Sequence, residues 1–124
     1  MSLNRIQLLS VPVADQDRAR DFYVGTLGFD LVVDNVMGPG QRWVQVRPRD
    51  GQTSITLVTW FETMPPGSLK GLVIETDDLD GDVAALAARG VKTGEISDAP
   101  WGRYVTLDDP DGNGLVLQAT HPGA

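Results

Sequence analysis

The sequence predicts an α+β fold: two paired β-α-β-β-β modules whose curved, partly closed mixed sheet surrounds a cleft. Three observations carry that prediction. Residues 13–29, VADQDRARDFYVGTLGF, are answered by residues 76–91, TDDLDGDVAALAARGV. The landmarks of the two copies keep a near-constant offset, Asp15 to Asp78 being 63 positions and Gly28 to Gly90 being 62. Such an offset marks an internal repeat. Each copy is then followed by short alternating stretches broken by Gly, Pro, Asn and Asp, the pattern of strands and turns. At 124 residues the chain is one domain (1–124), with module one at about 5–61, a linker at 62–70 and module two at about 71–119.

Each element has its own justification. Residues 5–13 (RIQLLSVPV) read as a strand with Leu9, Val11 and Val13 on one face. Asp15 or Asp17 caps a helix whose stripe is Ala19, Phe22, Tyr23 and Leu27, and Gly28 ends it. Residues 29–34 are a strand and 35–40 (NVMGPG) a loop. Residues 41–48 and 53–61 alternate as strands, placing Trp43, Gln45 and Arg47, and Thr56, Val58 and Trp60, opposite the aliphatic residues. In module two, 71–76 is a strand. Asp78 caps a helix that turns Leu79, Val83, Leu86 and Ala87 inward, and Gly90 closes it. A short strand near 91–95 and a loop, SDAPWG, come next. Strands at 103–107 and 114–119 follow, joined by the turn-forming DDPDGN. The tail HPGA is expected to fray.

Composition excludes several classes. With 17 acidic against 10 basic residues the net charge is −7, the wrong sign for nucleic acid or an anionic membrane surface. No run approaches the roughly 18 apolar residues of a membrane span, and no signal peptide is expected from MSLNRIQLL. There is no Cys, which fits a cytoplasmic protein. His121 alone near the end of the chain cannot complete a nucleophilic triad. Asp108, Asp109 and Asp111 lack the further spaced oxygens of a calcium loop. Gly38 and Gly40 lack the strand-loop-helix setting of a phosphate loop.

The strands carry two unlike faces. Leu9, Val11, Val44, Val46, Ile55, Leu57, Leu72, Ile74, Leu115 and Leu117 should pack on the helices. The other face holds Ser10, Trp43, Gln45, Arg47, Thr56, Trp60, Glu75 and Gln118, with Tyr104 at matching parity. A mixed polar and aromatic face on a curved sheet lines a pocket; the alternative is a solvated outer face. The tryptophans either stack on a planar ligand or pack in a core or dimer interface. Arg47 either holds an anion, pairs with Glu75, or reaches solvent from the end of its strand. Glu75 as a general base requires burial that raises its pKa.

The repeat, the segment VADQDRARDFYVGTLGF and the closing PWGRYVTLDDPDGNGLVLQ together resemble the vicinal oxygen chelate superfamily of glyoxalases, bleomycin resistance proteins and extradiol dioxygenases. The resemblance covers about residues 5–119. It implies the paired modules and a homodimer, and it puts Trp101 of the PWG segment at the cleft rim. In metal-using members four ligands lie on the first and last strands of the two modules. Carried to this sequence, those positions are Leu8, Thr56, Gly71 and Val116. Leu8 and Gly71 stand seven residues before Asp15 and Asp78, and Val116 four after Gly112. A one-residue shift brings Gln7 into a ligand place but turns Val11 and Val13 off the core. None of the four offers an imidazole or carboxylate, and Glu75 with Gln118 supplies too few donors for an improvised site.

The function expected is therefore metal-independent small-molecule binding of the bleomycin-resistance type, with no cofactor. The ligand-binding residues would be Trp43, Gln45, Arg47, Trp60, Glu75, Trp101, Tyr104 and Gln118. The rival is an enzyme of the same family, a glyoxalase-like lyase or isomerase or a dioxygenase, with a non-standard site such as Glu75 with Tyr104. A third possibility is a dimerising module without a ligand.

Overall fold

In the computed structural model, which describes residues 1–121, module one runs β1 (Leu8–Pro12), α1 (Gln16–Arg20), a π-helical segment (Asp21–Thr26), β2 (Asp30–Gly38), β3 (Gln41–Arg47) and β4 (Ser54–Val58). Module two runs β5 (Leu72–Glu75), α2 (Leu79–Ala88), β6 (Ser97–Ala99), β7 (Gly102–Asp108) and β8 (Gly114–Thr120). The expected frayed tail lies outside the described residues from 122 onward.

The repeat folds as a repeat. Each module is a four-stranded mixed sheet, β1-β4-β3-β2 in one and β5-β8-β7-β6 in the other. In both, the first strand pairs parallel with the last and the remaining pairs are antiparallel. Asp15 caps α1 by accepting from Arg18 N, and Asp78 caps α2 by accepting from Gly81 N. Both helices end on a glycine in the left-handed region, Gly28 at φ 80° and Gly90 at φ 79°, where a Cβ would be strained. The two sheets are separate and do not close on each other.

The aliphatic faces of both sheets and the inner sides of both helices share one core. Tyr23, Val11, Leu57, Leu115 and Val105 are fully buried within it. Two sets of polar contacts orient the parts. Arg42 forks onto Asp34 at 2.8 and 2.9 Å and reaches Asp17 at 2.7 Å, while Arg20 meets Asp34 at 2.9 Å, so α1 is tied to the β2–β3 hairpin. The β7–β8 turn is pinned to module one: the Tyr23 hydroxyl donates to buried Asp109 at 2.9 Å, and Asn113 Nδ2 donates to the Pro12 carbonyl at 2.8 Å.

Four elements differ from the sequence expectation. β2 runs on through Gly38, so the expected loop 35–40 shrinks to the two-residue turn Pro39–Gly40. Pro presets its own φ, and Gly40 supplies φ 70°. Two register shifts in β2 break the period-2 pattern that would have marked the longer strand. The strand expected near 91–95 is irregular, and residues 97–99 of the expected loop form β6 instead. The first helix widens into π geometry at 21–26, closed by Leu27 N donating to Phe22 O, with adjacent Phe22 and Tyr23 both buried. In α2, Leu79 and Leu86 are buried and Val83 packs on the core, but Ala87 faces solvent.

Candidate functional site

Registry places the candidate residues on the helix-free face of each sheet. On sheet one, Thr56 stands between Ser10 on β1 and Gln45 on β3. Trp43, Gln45 and Arg47 follow one another on the same side of β3, because Val44 and Val46 between them are buried in the core. Trp43 Nε1 donates to Gln45 Oε1 at 3.0 Å, and the Ser10 and Thr56 hydroxyls bond at 3.2 Å. Trp60 lies just past the end of β4 rather than within it. It nevertheless stacks on Trp43, with ring centroids 6.3 Å apart and planes 25° apart, and remains 36% exposed.

On sheet two, Glu75, Gln118, Tyr104 and Ser97 form one row across β5, β8, β7 and β6. Val73, Val116 and Thr106 form the next, and Val73 is 54% exposed. Glu75 accepts from Thr120 N at 3.0 Å and from the Thr120 hydroxyl, and Gln118 donates to the same hydroxyl at 3.1 Å. Those bonds hold the Glu75 carboxyl below its ordinary value. Trp101 sits in the turn between β6 and β7, half exposed.

Several expectations need correction. Glu75 is exposed and its acidity is strengthened, the opposite of what a general base requires. It also stands two strands from Tyr104, roughly 10 Å across the sheet, and its oxygens are committed to Thr120. The ion pair offered for Arg47 and Glu75 is absent among the described residues; Arg47 enters no ion pair. Instead Arg47 Nε is buried without a partner.

Of the four positions that correspond to metal ligands, Leu8 and Thr56 lie on sheet one and Val116 on sheet two, with Gly71 just before β5. Thr56 is only 1% exposed and bonds to Ser10. Leu, Gly and Val present no side-chain donor, and Thr56 presents one hydroxyl already engaged, so this residue set does not fit a divalent cation. Among the described residues no three His, Cys, Asp or Glu cluster as metal ligands within one chain.

Among the described residues no hydrogen bond joins the two helix-free faces to each other, whereas the opposite faces share the core. The clefts among the described residues include these three. One of about 500 Å³ lies beside Phe22, Lys92, Gly94 and Asp109. Two of about 260 and 520 Å³ run along the seam of Phe29, Pro48, Arg49 and Ile74. Glu75 is the one candidate residue lining any of the three.

Sequence reasoning missed Val33 and Asn35, which pair with Gln45 and Trp43 and extend the sheet-one face. The signal was Pro39–Gly40 followed directly by alternation from Gln41. It also missed Thr120, the acceptor and donor that fixes Glu75 and Gln118. Chemically the two faces offer aromatic planes, amides, hydroxyls, the Arg47 guanidinium and the Glu75 carboxylate.

The comparisons agree with the fold. A family model described as Glyoxalase/Bleomycin resistance protein/Dioxygenase superfamily matches residues 3–117. The protein called Uncharacterized protein YetH of Bacillus subtilis (strain 168) is 32% identical over 120 residues, covering 94% of this chain and 98% of its own. The crystal structure of TnmS3, described as an antibiotic binding protein from Streptomyces sp. CB03234, superposes with a TM-score of 0.94 at 50% identity, over 98% of this chain and 99% of that one. A glyoxalase/bleomycin resistance protein from the same organism gives a TM-score of 0.85 at 52% identity, over 92% and 99%. No helix among the described residues is long and apolar enough to cross a membrane.

Proposed function

This chain belongs to the Glyoxalase/Bleomycin resistance protein/Dioxygenase superfamily, and from that premise we propose that it sequesters a planar, largely apolar small molecule without a metal ion. The observation that carries the proposal is the stacked Trp43–Trp60 pair, tied to Gln45 on a sheet face that neither helix covers. Aromatic faces give large contact area with few rotors to freeze. The likeness to an antibiotic binding protein at 50% identity supports a ligand of that general kind.

In this reading the helix-free face of each sheet is a half-site, on separate sheets of one chain. A homodimer that sets the sheet-one face of one copy against the sheet-two face of the other makes a two-walled site. In it Trp43, Gln45 and Trp60 form one wall, and Tyr104, Gln118 and Trp101 form the other. Exposed Val73 and Trp101 supply apolar surface for such a contact. The absence of Cys fits a cytoplasmic location for this dimer.

Isothermal titration of chelator-treated protein with a panel of planar aromatic antibiotics tests the proposal. Binding at one ligand per site, unchanged when Zn, Ni, Fe or Mn is added back, is expected. Binding or glyoxalase turnover that appears only with stoichiometric metal would support the enzymatic reading instead.

A further inference from the structure

We infer that Arg47 makes the sheet-one wall selective for planar ligands that carry a carboxylate at one end. The inference deepens the binding role proposed above and rests on it. Of the seven other arginines, Arg5, Arg18, Arg20, Arg42, Arg89 and Arg103 each donate to a protein acceptor, and Arg49 is exposed to solvent. Arg47 is different: its Nε is buried with no partner among the described residues. In a chain with 17 acidic side chains, half-buried Arg47 keeps a buried Nε with no acceptor, and a buried donor left without an acceptor is costly. Asp30 stands directly across on β2, yet the two form no ion pair.

Its placement suits a ligand end group. Arg47 follows Trp43 and Gln45 along one side of β3. Alternate residues repeat about every 7 Å, so its Cα lies roughly 13 Å from that of Trp43. A ring system stacked on Trp43 and extending past Gln45 delivers its far edge to Arg47. Across the sheet, the antiparallel register carries Arg47 opposite Ser54, which in turn pairs with Leu8. Arg47 therefore shares a row with one of the positions that offers no metal donor, and its guanidinium is the fixed positive charge of that row. A guanidinium fork matches a carboxylate in two parallel hydrogen bonds, which a neutral amide cannot reproduce. The net charge of −7 gives no general attraction for anions, so any preference for an acid must arise locally.

The test uses 2-anthracenecarboxylate and its neutral partner 2-anthracenecarboxamide, titrated into the intact protein and followed by tryptophan quenching and calorimetry. Native protein is expected to bind the acid roughly tenfold more tightly than the amide, the advantage of charge-assisted bonds over neutral ones. Arg47→Met should bring that ratio near one, and Arg47→Lys should keep part of it. A native ratio near one, or a ratio unchanged in Arg47→Met, overturns the inference while amide binding leaves the broader role standing. Failure of both probes to bind overturns the two together. If Arg47→Met does not fold by circular dichroism, the Arg47→Lys ratio decides, and no drop overturns the inference. A loss of dimer in Arg47→Met with the ratio intact also overturns it, by showing that a second copy supplies the missing acceptor.

Discussion

Replacing Tyr23 with Phe removes one oxygen from the contact that pins module two to module one. The hydroxyl donates at 2.9 Å to Asp109 Oδ2, and Tyr23 and Asp109 are 0% and 4% exposed. The carboxylate also accepts from Asp111 N, Asn113 N and Asn113 Nδ2 at 2.9, 2.9 and 2.8 Å. It therefore keeps three donors when the phenol is lost. A hydrogen bond to a charged group contributes about 1.5–3 kcal/mol, and the remaining donors put this one at the lower end, about 1.5–2 kcal/mol. Ring packing is unchanged, with Phe22 edge-on at 5.4 Å and Phe29 tilted at 5.8 Å. For a chain of this size the loss corresponds to a Tm about 5–8 °C lower. Burial, then the Asp109 charge, raise the Tyr23 pKa far above its ordinary value. The hydroxyl thus stays protonated, and the loss should not vary through neutral and mildly alkaline pH. Urea unfolding followed by circular dichroism measures it, with the slope expected to match the native protein. In an Asp109→Asn background the same substitution should cost less than half as much. A Tyr23→Phe protein within about 0.5 kcal/mol of native would refute the claim that this bond pins the modules.

Gly67→Ala should destabilise more than Gly90→Ala: an added Cβ at 67 would lie 2.2 Å from the Asp111 carbonyl, whereas at 90 it meets nothing within 4 Å. The Gly90 change should cost only the left-handed backbone term of about 1–2 kcal/mol, read as a smaller Tm drop. Asp34, held at about 2 from an ordinary 3.8 chiefly by its hydrogen bonds from Arg42, stabilises the fold fully above its unfolded value. That contribution is lost as pH falls from about 4 to about 2. Comparing native and Asp34→Asn stability across that window should expose a difference of about 1 kcal/mol after solvent screening, flattening at the acid end. Trp43→Ala should weaken ligand binding by about 2 kcal/mol, roughly 30-fold, in calorimetric titrations, with the fold intact by circular dichroism.

The repeat was legible because its signals are local. Asp15 and Asp78 cap helices, Gly28 and Gly90 end them, and the aliphatic residues of each strand alternate cleanly. These features fixed both modules and the parity that puts Trp43, Gln45 and Arg47 together on one side of β3. The π segment was hidden because Phe22 and Tyr23 satisfy a helical stripe in either geometry. β2 was cut short because its two register shifts disrupt alternation around Val33 and Met37. The partners of Glu75 and Arg47 were not legible at all. Glu75 turns to Thr120, and Arg47 to no described residue, because side-chain choice among several acceptors depends on rotamers that spacing does not encode. The Tyr23–Asp109 and Pro12–Asn113 contacts that join the modules span 86 and 101 residues, beyond the reach of any local pattern.

The most direct test of the central claim is a ¹⁵N-correlation titration of chelator-treated protein with a planar aromatic ligand, read at the indole N–H signals of Trp43, Trp60 and Trp101. The account predicts that the Trp43 and Trp60 signals shift and saturate together without added metal. Signals that stay fixed while amides along the Phe29–Arg49 seam move, or shifts that begin only once a divalent metal is supplied, would contradict it.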